Sequence, residues 1–316
     1  VNSIPKEVTI LDEANLTFLP KSIKNPVEVE NERIAHIKDG VALTKFICWL
    51  KKNVGKIPMT ELSAGEKLYS FRAQQENFIG NSFDPIISYG IHAAINHYSA
   101  TPETDIAIEP GNFLLADTGG HYYEGTTDTT RTIVMGSVND EQKKYFTAVL
   151  RGMLNLGNAK FRYGCTGVNL DYLARGPLWE MGQDFNHGTG HGVGYLLNVH
   201  EGPNSFRWRI IQGDNAVLEE GMITSDEPGY YVENQYGIRH ENLLVCKKAE
   251  KTPFGQFMCF EHLTMVPFDL DAVVPELMTM QERALLNNYH AQVYKKISPY
   301  LEEEEKEWLK EATREI

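Results

Sequence analysis

Two aspartates, Asp117 and Asp128, stand eleven positions apart in "LLADTGGHYYEGTTDTTRT", a stretch from Leu114 to Thr132 that is otherwise mostly apolar, glycyl or hydroxylated. The pattern reads as a buried hairpin, and a carboxylate buried there without a partner costs on the order of several kcal/mol. Two further acids, Glu227 in "TSDEPGYY" and Glu241 in "GIRHENLLV", fall on segments predicted as strands, where Glu is a poor former. Either each acid pairs with a buried arginine such as Arg131 or Arg239, or the acids together hold a cation.

A second stretch, "FNHGTGHGVGYLLNVHEGP", carries His187, His191 and His200, three of the ten histidines of the chain. HxxxH on a helix would suggest a zinc protease, but that motif needs a Glu after the first His. Gly188, Gly190, Gly192 and Gly194 also oppose a helix, each costing about 1 kcal/mol relative to Ala. The segment is therefore expected as loop or strand, with glycines that let backbone approach a bound group closely. Taken together, the four acids and His191 form the ligand set expected for a pair of hard to borderline divalent cations, with carboxylates bridging them. Such a pair also neutralises the acids and removes the burial problem.

These residues need a scaffold, and the composition bounds it. The chain has 316 residues, 42% of them hydrophobic and 10% aromatic, enough for a substantial core. No run approaches the roughly 18 to 20 apolar residues of a membrane span. Thirty Lys and Arg against 43 Asp and Glu give a net charge of -13, which disfavours nucleic acid or an anionic membrane as partner. Cys48, Cys165, Cys246 and Cys259 are dispersed without a CxxC pair, the pattern of buried free thiols in a reducing compartment. No export signal is read ahead of the first helix. The start at Val1 rather than Met leads us to expect residues upstream.

Residues 1–28, with Pro5, Pro20 and Pro26, read as an extended lead-in. Helices are predicted from about Val29 to Val54, over "MTELSAGEKLYSFRAQQ" with Thr60 as cap but no Glu at the capping-box position, from Asp140 to about Tyr163, and from Asn169 to about Gly182. Strands are predicted at "IISYGIHAAINH", "NFLLADT", "HYYEG", "TTRTIVMG", "GMITSDEP", "YGIRHENLLVC" and "GQFMCFEHLTMVP", with Gly119-Gly120 as a hairpin signal. Two helices, Thr279 to Ile297 and Tyr300 to Arg314, close the chain, the second opening on the acidic run Glu302 to Glu305, read as a solvated first turn. Strands and helices fall in blocks, which predicts an α+β fold with an antiparallel sheet covered by helices.

At these residues a family resemblance appears. The order "AINHYSATPE", "LLADTGGHYYEGTTDTTRT", "HGTGHGVG", "NVHEGP", "SDEPGYY" and "GIRHEN", running from about Val29 to the C-terminus, resembles the pita-bread metallopeptidases, and among them the Xaa-Pro aminopeptidase (aminopeptidase P) group. The resemblance implies a curved antiparallel sheet covered by helices, with a catalytic domain over 29–250, a C-terminal extension over 251–316 packed on it, and a lead-in over 1–28 from missing upstream domains. It implies that Asp117 chelates one metal, that Asp128 and Glu241 bridge two, and that His191 and Glu227 complete the other. The implied ions are two divalent metals, manganese first, with cobalt or zinc as alternatives.

His97, His187 and His200 match the family's outer histidines that orient substrate and stabilise the tetrahedral intermediate. The implied reaction releases the N-terminal residue of peptides with proline second, by attack of a metal-bridging hydroxide, with Glu227 passing a proton to the prolyl nitrogen. Arg239 is expected to orient carboxylates rather than touch substrate, and His240, pointing away from the face of Glu241 by alternation, to pack. The tail resembles that of the larger, three-domain, cytosolic type, which implies a cytoplasmic homodimer. The rival readings are an Xaa-Pro dipeptidase (prolidase) using the same ligands and, from another class, a non-catalytic peptide-binding module.

Overall fold

The computed structural model describes residue 5, residues 7–9 and residues 15–316; the remaining part of the expected lead-in lies outside the described residues. The lead-in is not extended throughout. A short helix, α1 (Phe18–Ser22), precedes α2 (Pro26–Asn53), and Asn25 caps α2 with a capping box to Glu28 and proline in the first turn. The segment is tied to the rest of the chain: Lys24 N donates to Gly221 O at 3.0 Å, and Lys21 pairs with Glu201 at 2.7 Å. In α3 (Glu61–Arg72) the capping box at Thr60 closes without Glu, because the Ser63 hydroxyl accepts from Thr60 N at 2.7 Å.

The first sheet region holds β1 (Phe78–Asn81), β2 (Ile86–Tyr89), β3 (Asn112–Thr118), β4 (Gly120–Tyr122), β5 (Gly125–Thr126) and β6 (Thr129–Met135). Only the first four residues of the predicted "IISYGIHAAINH" strand are extended; Gly90–Ala94 form a 3-10 turn. Gly119-Gly120 is not a hairpin turn. β3 pairs with β6 and β2, whereas β4 pairs with β1 and β5, so the two glycines carry the chain from one sheet to the next. A Cβ on Gly119 would lie 2.0 Å from Thr127 O, which explains the residue type at that crossing.

Helix α4 (Asp140–Gly157) ends earlier than its periodicity suggested, since Lys160–Arg162 leave it as an edge strand, β7, paired with Phe257–Cys259. Helix α5 (Tyr172–Trp179) is likewise shorter than expected and follows a 3-10 turn at Gly167–Asn169. The second sheet region comprises β8 (Gly190–His191), β9 (Ser205–Phe206), β10 (Ile223–Asp226), β11 (Gly229–Val232), β12 (Tyr236–Arg239), β13 (Asn242–Thr252) and β14 (Gly255–His262), and every pairing among the named strands is antiparallel. Glu227 and Glu241, expected on strands, fall at strand ends: one follows β10 and the other precedes β13.

Helices α6 (Met280–Ile297) and α7 (Glu303–Ala312) close the chain, α7 falling inside its predicted limits and opening on the acidic turn. Phe146, Val149 and Met153 of α4 meet Phe113, Val134, Ile238, Leu286 and Val293 in one buried cluster, so both sheet regions and the C-terminal helices share a core. The result is an α+β fold in which helices cover antiparallel sheets. Two of the four cysteines, Cys165 and Cys259, are only half-buried, and all four are unpaired.

Candidate metal centre

The strand register builds the site. Asp117 lies opposite Thr130 across β3 and β6. Side chains alternate along a strand, so Asp128, two residues before Thr130, turns to the same face as Asp117. Thr130 and Thr132 share that face and fasten the incoming segment between β12 and β13. Thr130 O accepts from Glu241 N at 3.1 Å and its hydroxyl donates to the Glu241 carboxylate at 2.7 Å; the Thr132 hydroxyl accepts from Arg239 N at 3.0 Å. Arg239 and Glu241 thereby face the aspartates, and His240, between them, turns away. It is fully buried, edge-on to Phe146 and Phe268.

His191 arrives on β8. Close backbone approach brings it in: a Cβ on Gly190 would lie 1.8 Å from Ser225 O. The Ser225 hydroxyl accepts from His191 N at 2.9 Å and donates to Glu227 at 3.0 Å. His191 Nδ1 donates to Gly192 O at 2.9 Å, which turns Nε2 toward the acids. Nε2 stands 3.5 Å from both Asp128 Oδ2 and Glu227 Oε1. A cation held among them would meet one nitrogen and two carboxylate ligands.

Asp128, His191 and Glu241 offer ligand atoms that all lie within 4.8 Å of one another. Burial raises the Asp128 carboxyl well above the usual range, with Asp117 and Glu227 adding to it; Glu241 rises in the same way, from burial and then Asp128, and Glu227 rises chiefly from burial. Asp117 Oδ2 accepts from Arg239 Nη2 at 2.5 Å, while its Oδ1 is buried with no partner. The buried-arginine alternative therefore holds for Asp117 alone. Arg131 points to the other face and spends its donors on the carbonyls of Glu241, Thr130 and Val266 and on Asn242 and Tyr289. Four acids thus share one guanidinium. An oxygen-rich, buried and undercompensated set, completed by a histidine whose second nitrogen bonds a carbonyl, fits divalent cations.

All nine residues singled out from sequence (His97, Asp117, Asp128, His187, His191, His200, Glu227, Arg239 and Glu241) line a single cleft of about 260 Å³. His97 and His200 lie exposed at its rim, and the His200 ring packs edge-on against His191 at 4.2 Å. Partial desolvation, with the His191 ring beside it, lowers His200 to about 4, so it is neutral at pH 7. His187 is different: Nδ1 donates to Gly188 O at 2.7 Å, and Nε2 accepts from the Tyr231 hydroxyl at 2.9 Å. Burial, then Arg239, lowers it to about 3. Sequence reasoning missed Tyr231, although it stands in the quoted "SDEPGYY", and also Arg207, Phe83 and Ile86, which line the cleft from segments without a chemical signature.

The fold and this acid-and-histidine cleft are those of a metallopeptidase. Residues 30–248 match the model of metallopeptidase family M24, and residues 256–316 match the C-terminal region of peptidase M24. The chain belongs to family M24. It is 43% identical over 303 residues to a probable Xaa-Pro aminopeptidase P of Paracoccidioides brasiliensis (strain Pb03), covering 94% of this chain and 49% of that protein. It is 39% identical to aminopeptidase P1 of Arabidopsis thaliana, covering 94% and 50% respectively. Among solved structures it is similar to X-prolyl aminopeptidase from Caenorhabditis elegans, described as a cytosolic enzyme with a di-nuclear active site, at a TM-score of 0.90 and 37% identity over 96% of this chain and 50% of that one. Prolidase from Pyrococcus furiosus matches at a TM-score of 0.63 and 27% identity, over 79% of this chain and 67% of that one. The fold is thus the pita-bread fold expected from the sequence resemblance, and the chain spans about half the length of the curated relatives it matches.

Proposed function

We propose that this chain is the catalytic region of a metal-dependent aminopeptidase that releases the N-terminal residue from peptides with proline in the second position. The observation that carries the reading is the convergence on one cleft of buried Asp117, Asp128 and Glu241, half-buried Glu227 and His191, with Arg239 pairing to Asp117 alone. Asp117, Asp128, His191, Glu227 and Glu241 would hold two divalent cations, manganese first, with Asp117 serving one, His191 and Glu227 the other, and Asp128 and Glu241 both. Such ions supply Lewis acidity at the scissile carbonyl and lower the pKa of water.

The residues around the ions divide the remaining work. Arg239 orients Asp117. His97 and His200, whose rings make no hydrogen bond to a described residue, are placed at the rim to donate to the substrate and to the developing oxyanion. Glu227 would take the proton that the attacking oxygen loses and pass it to the prolyl nitrogen as the bond breaks. His187, engaged at both nitrogens, acts by holding Tyr231 and its own loop in place. A dedicated cleft suits this bond because the prolyl nitrogen carries no hydrogen and its ring fixes φ.

The same reading divides the chain at about residue 250 into a catalytic domain and an extension, and expects a cytoplasmic homodimer. The four unpaired cysteines support a reducing compartment. Among the described residues no helix is long and apolar enough to cross a membrane.

The test is to incubate the manganese-loaded chain with an Xaa-Pro-Pro tripeptide and, separately, with an Xaa-Pro dipeptide. Release of the first residue from the tripeptide is expected. Cleavage of the dipeptide alone would assign the chain to the prolidases, and cleavage of neither would favour the binding-module reading.

A further inference from the structure

Arg175 lies on α5 and is fully buried, yet its partners are Asp171, just ahead of α5, and residues of the loop that leads into the cleft. Its Nε donates to Asp171 Oδ2 at 2.7 Å, Nη1 to Asp184 Oδ1 at 2.6 Å and to Phe185 O at 2.7 Å, and Nη2 to His187 O at 2.9 Å. The guanidinium also lies 3.8 Å from the Phe185 ring centroid. The other oxygen of Asp171 accepts from the Thr189 hydroxyl at 2.5 Å, and Thr189 O in turn accepts from Glu227 N at 2.8 Å.

Residues 183–189 belong to no strand or helix, and although Thr189 N donates to Phe206 O at 2.9 Å, no backbone–backbone bond to a described residue fixes the course of 184–188. A planar guanidinium with five donors in a rigid fork can satisfy two carbonyls and two carboxylates at once; an ammonium on a flexible stem cannot hold that geometry. The helix that carries it is itself tightly seated, since a Cβ on Gly152 of α4 would lie 2.1 Å from Ala174 O.

We propose that Arg175, with Asp171, is a positioning residue: it sets the backbone of the loop from Asp184 to Gly188 and so places His187 beside Tyr231, while Asp171 joins it to the Thr189 side chain. The link to turnover rests on the aminopeptidase reading above. The placement of the loop does not.

The test uses the full chain with Arg175→Lys and, as a second variant that keeps the arginine, Asp171→Asn. Hydrogen exchange is read on the metal-free protein for the peptide covering 184–191 and, as internal control, for α4; kcat and KM are read on the manganese-loaded protein with the tripeptide. In both variants we expect exchange of the loop to quicken about tenfold or more while α4 keeps its protection, and kcat to fall about 10- to 100-fold with KM within about threefold. Unchanged loop exchange, or equal quickening in α4 and the loop, would overturn the proposal, as would loosened exchange with full kcat. Should the wild-type chain cleave no peptide, the aminopeptidase reading fails while the exchange result still decides whether Arg175 sets the loop.

Discussion

Arg239 donates from Nη2 to Asp117 Oδ2 at 2.5 Å, and its other arm, Nη1, donates to the Tyr231 hydroxyl at 2.7 Å. Tyr231 then donates to His187. One side chain therefore pairs with a single member of the acid cluster and fixes the far wall of the cleft. It also leaves Asp117 Oδ1 free to face the site.

Arg239→Lys keeps the charge but cannot span both partners. Manganese affinity or kcat should fall about 10- to 100-fold, as for other residues that orient metal ligands. Calorimetric titration with manganese and steady-state rates are the measurements; wild-type values in both would show that Arg239 does not orient the site.

Without metal, the acid cluster opposes folding, because Asp128 is buried beside Asp117 and Glu227. Asp128→Asn should therefore melt higher than the wild type in a chelating buffer, by about 2 °C for each kcal/mol of repulsion and burial relieved. With manganese the order should reverse. A lower melting temperature for the variant in chelator would mean that the cluster is already compensated.

The pH dependence follows from the same groups. The Asp128 and Glu241 carboxyls sit above their unfolded values, so the folded state keeps protons that the unfolded chain releases, and metal-free stability is lost as pH rises through the folded values. Buried His36 and His262, lowered to about 4, and His290, lowered to about 3, act in the opposite sense: their contribution is present above about pH 6.5 and lost as pH falls. Comparing denaturation of the wild type with Asp128→Asn from pH 5 to 8 cancels the histidines. The variant's advantage should grow with pH in chelator; a flat difference would contradict the raised Asp128 carboxyl.

Gly190→Ala tests the backbone rather than the ligands. Its methyl group would meet Ser225 O at 1.8 Å and push β8 from β10, carrying His191 with it. A loss of about 1–3 kcal/mol or more is expected, together with loss of manganese, although no ligand is altered. Calorimetric melting with metal analysis reads both, and a variant that retains its metal would show that β8 can move without the site.

Much of this was legible in the chain, and the exceptions share a cause. The acids were visible as charges set in apolar or hydroxylated strands, and alternation alone turned His240 away from Glu241. The threonines beside Asp128 gave no warning that they fasten Arg239 and Glu241, because those contacts join residues 107 and 111 positions apart. Gly119-Gly120 looked like a hairpin because a crossing between sheets needs the same residue type as a tight turn. Lys160–Arg162 continued a helical pattern, and only pairing with Phe257–Cys259 makes them a strand. His187 could be listed with the other histidines, but its separate role depends on Tyr231, 44 positions away.

The central claim, that these five side chains hold a pair of divalent ions, is tested most directly by counting them. Wild-type protein loaded with manganese and dialysed free of excess should carry two ions per chain by elemental mass spectrometry, and Asp128→Asn, which removes a ligand assigned to both, should carry fewer than one. One ion or none in the wild type, or two in the variant, would contradict it.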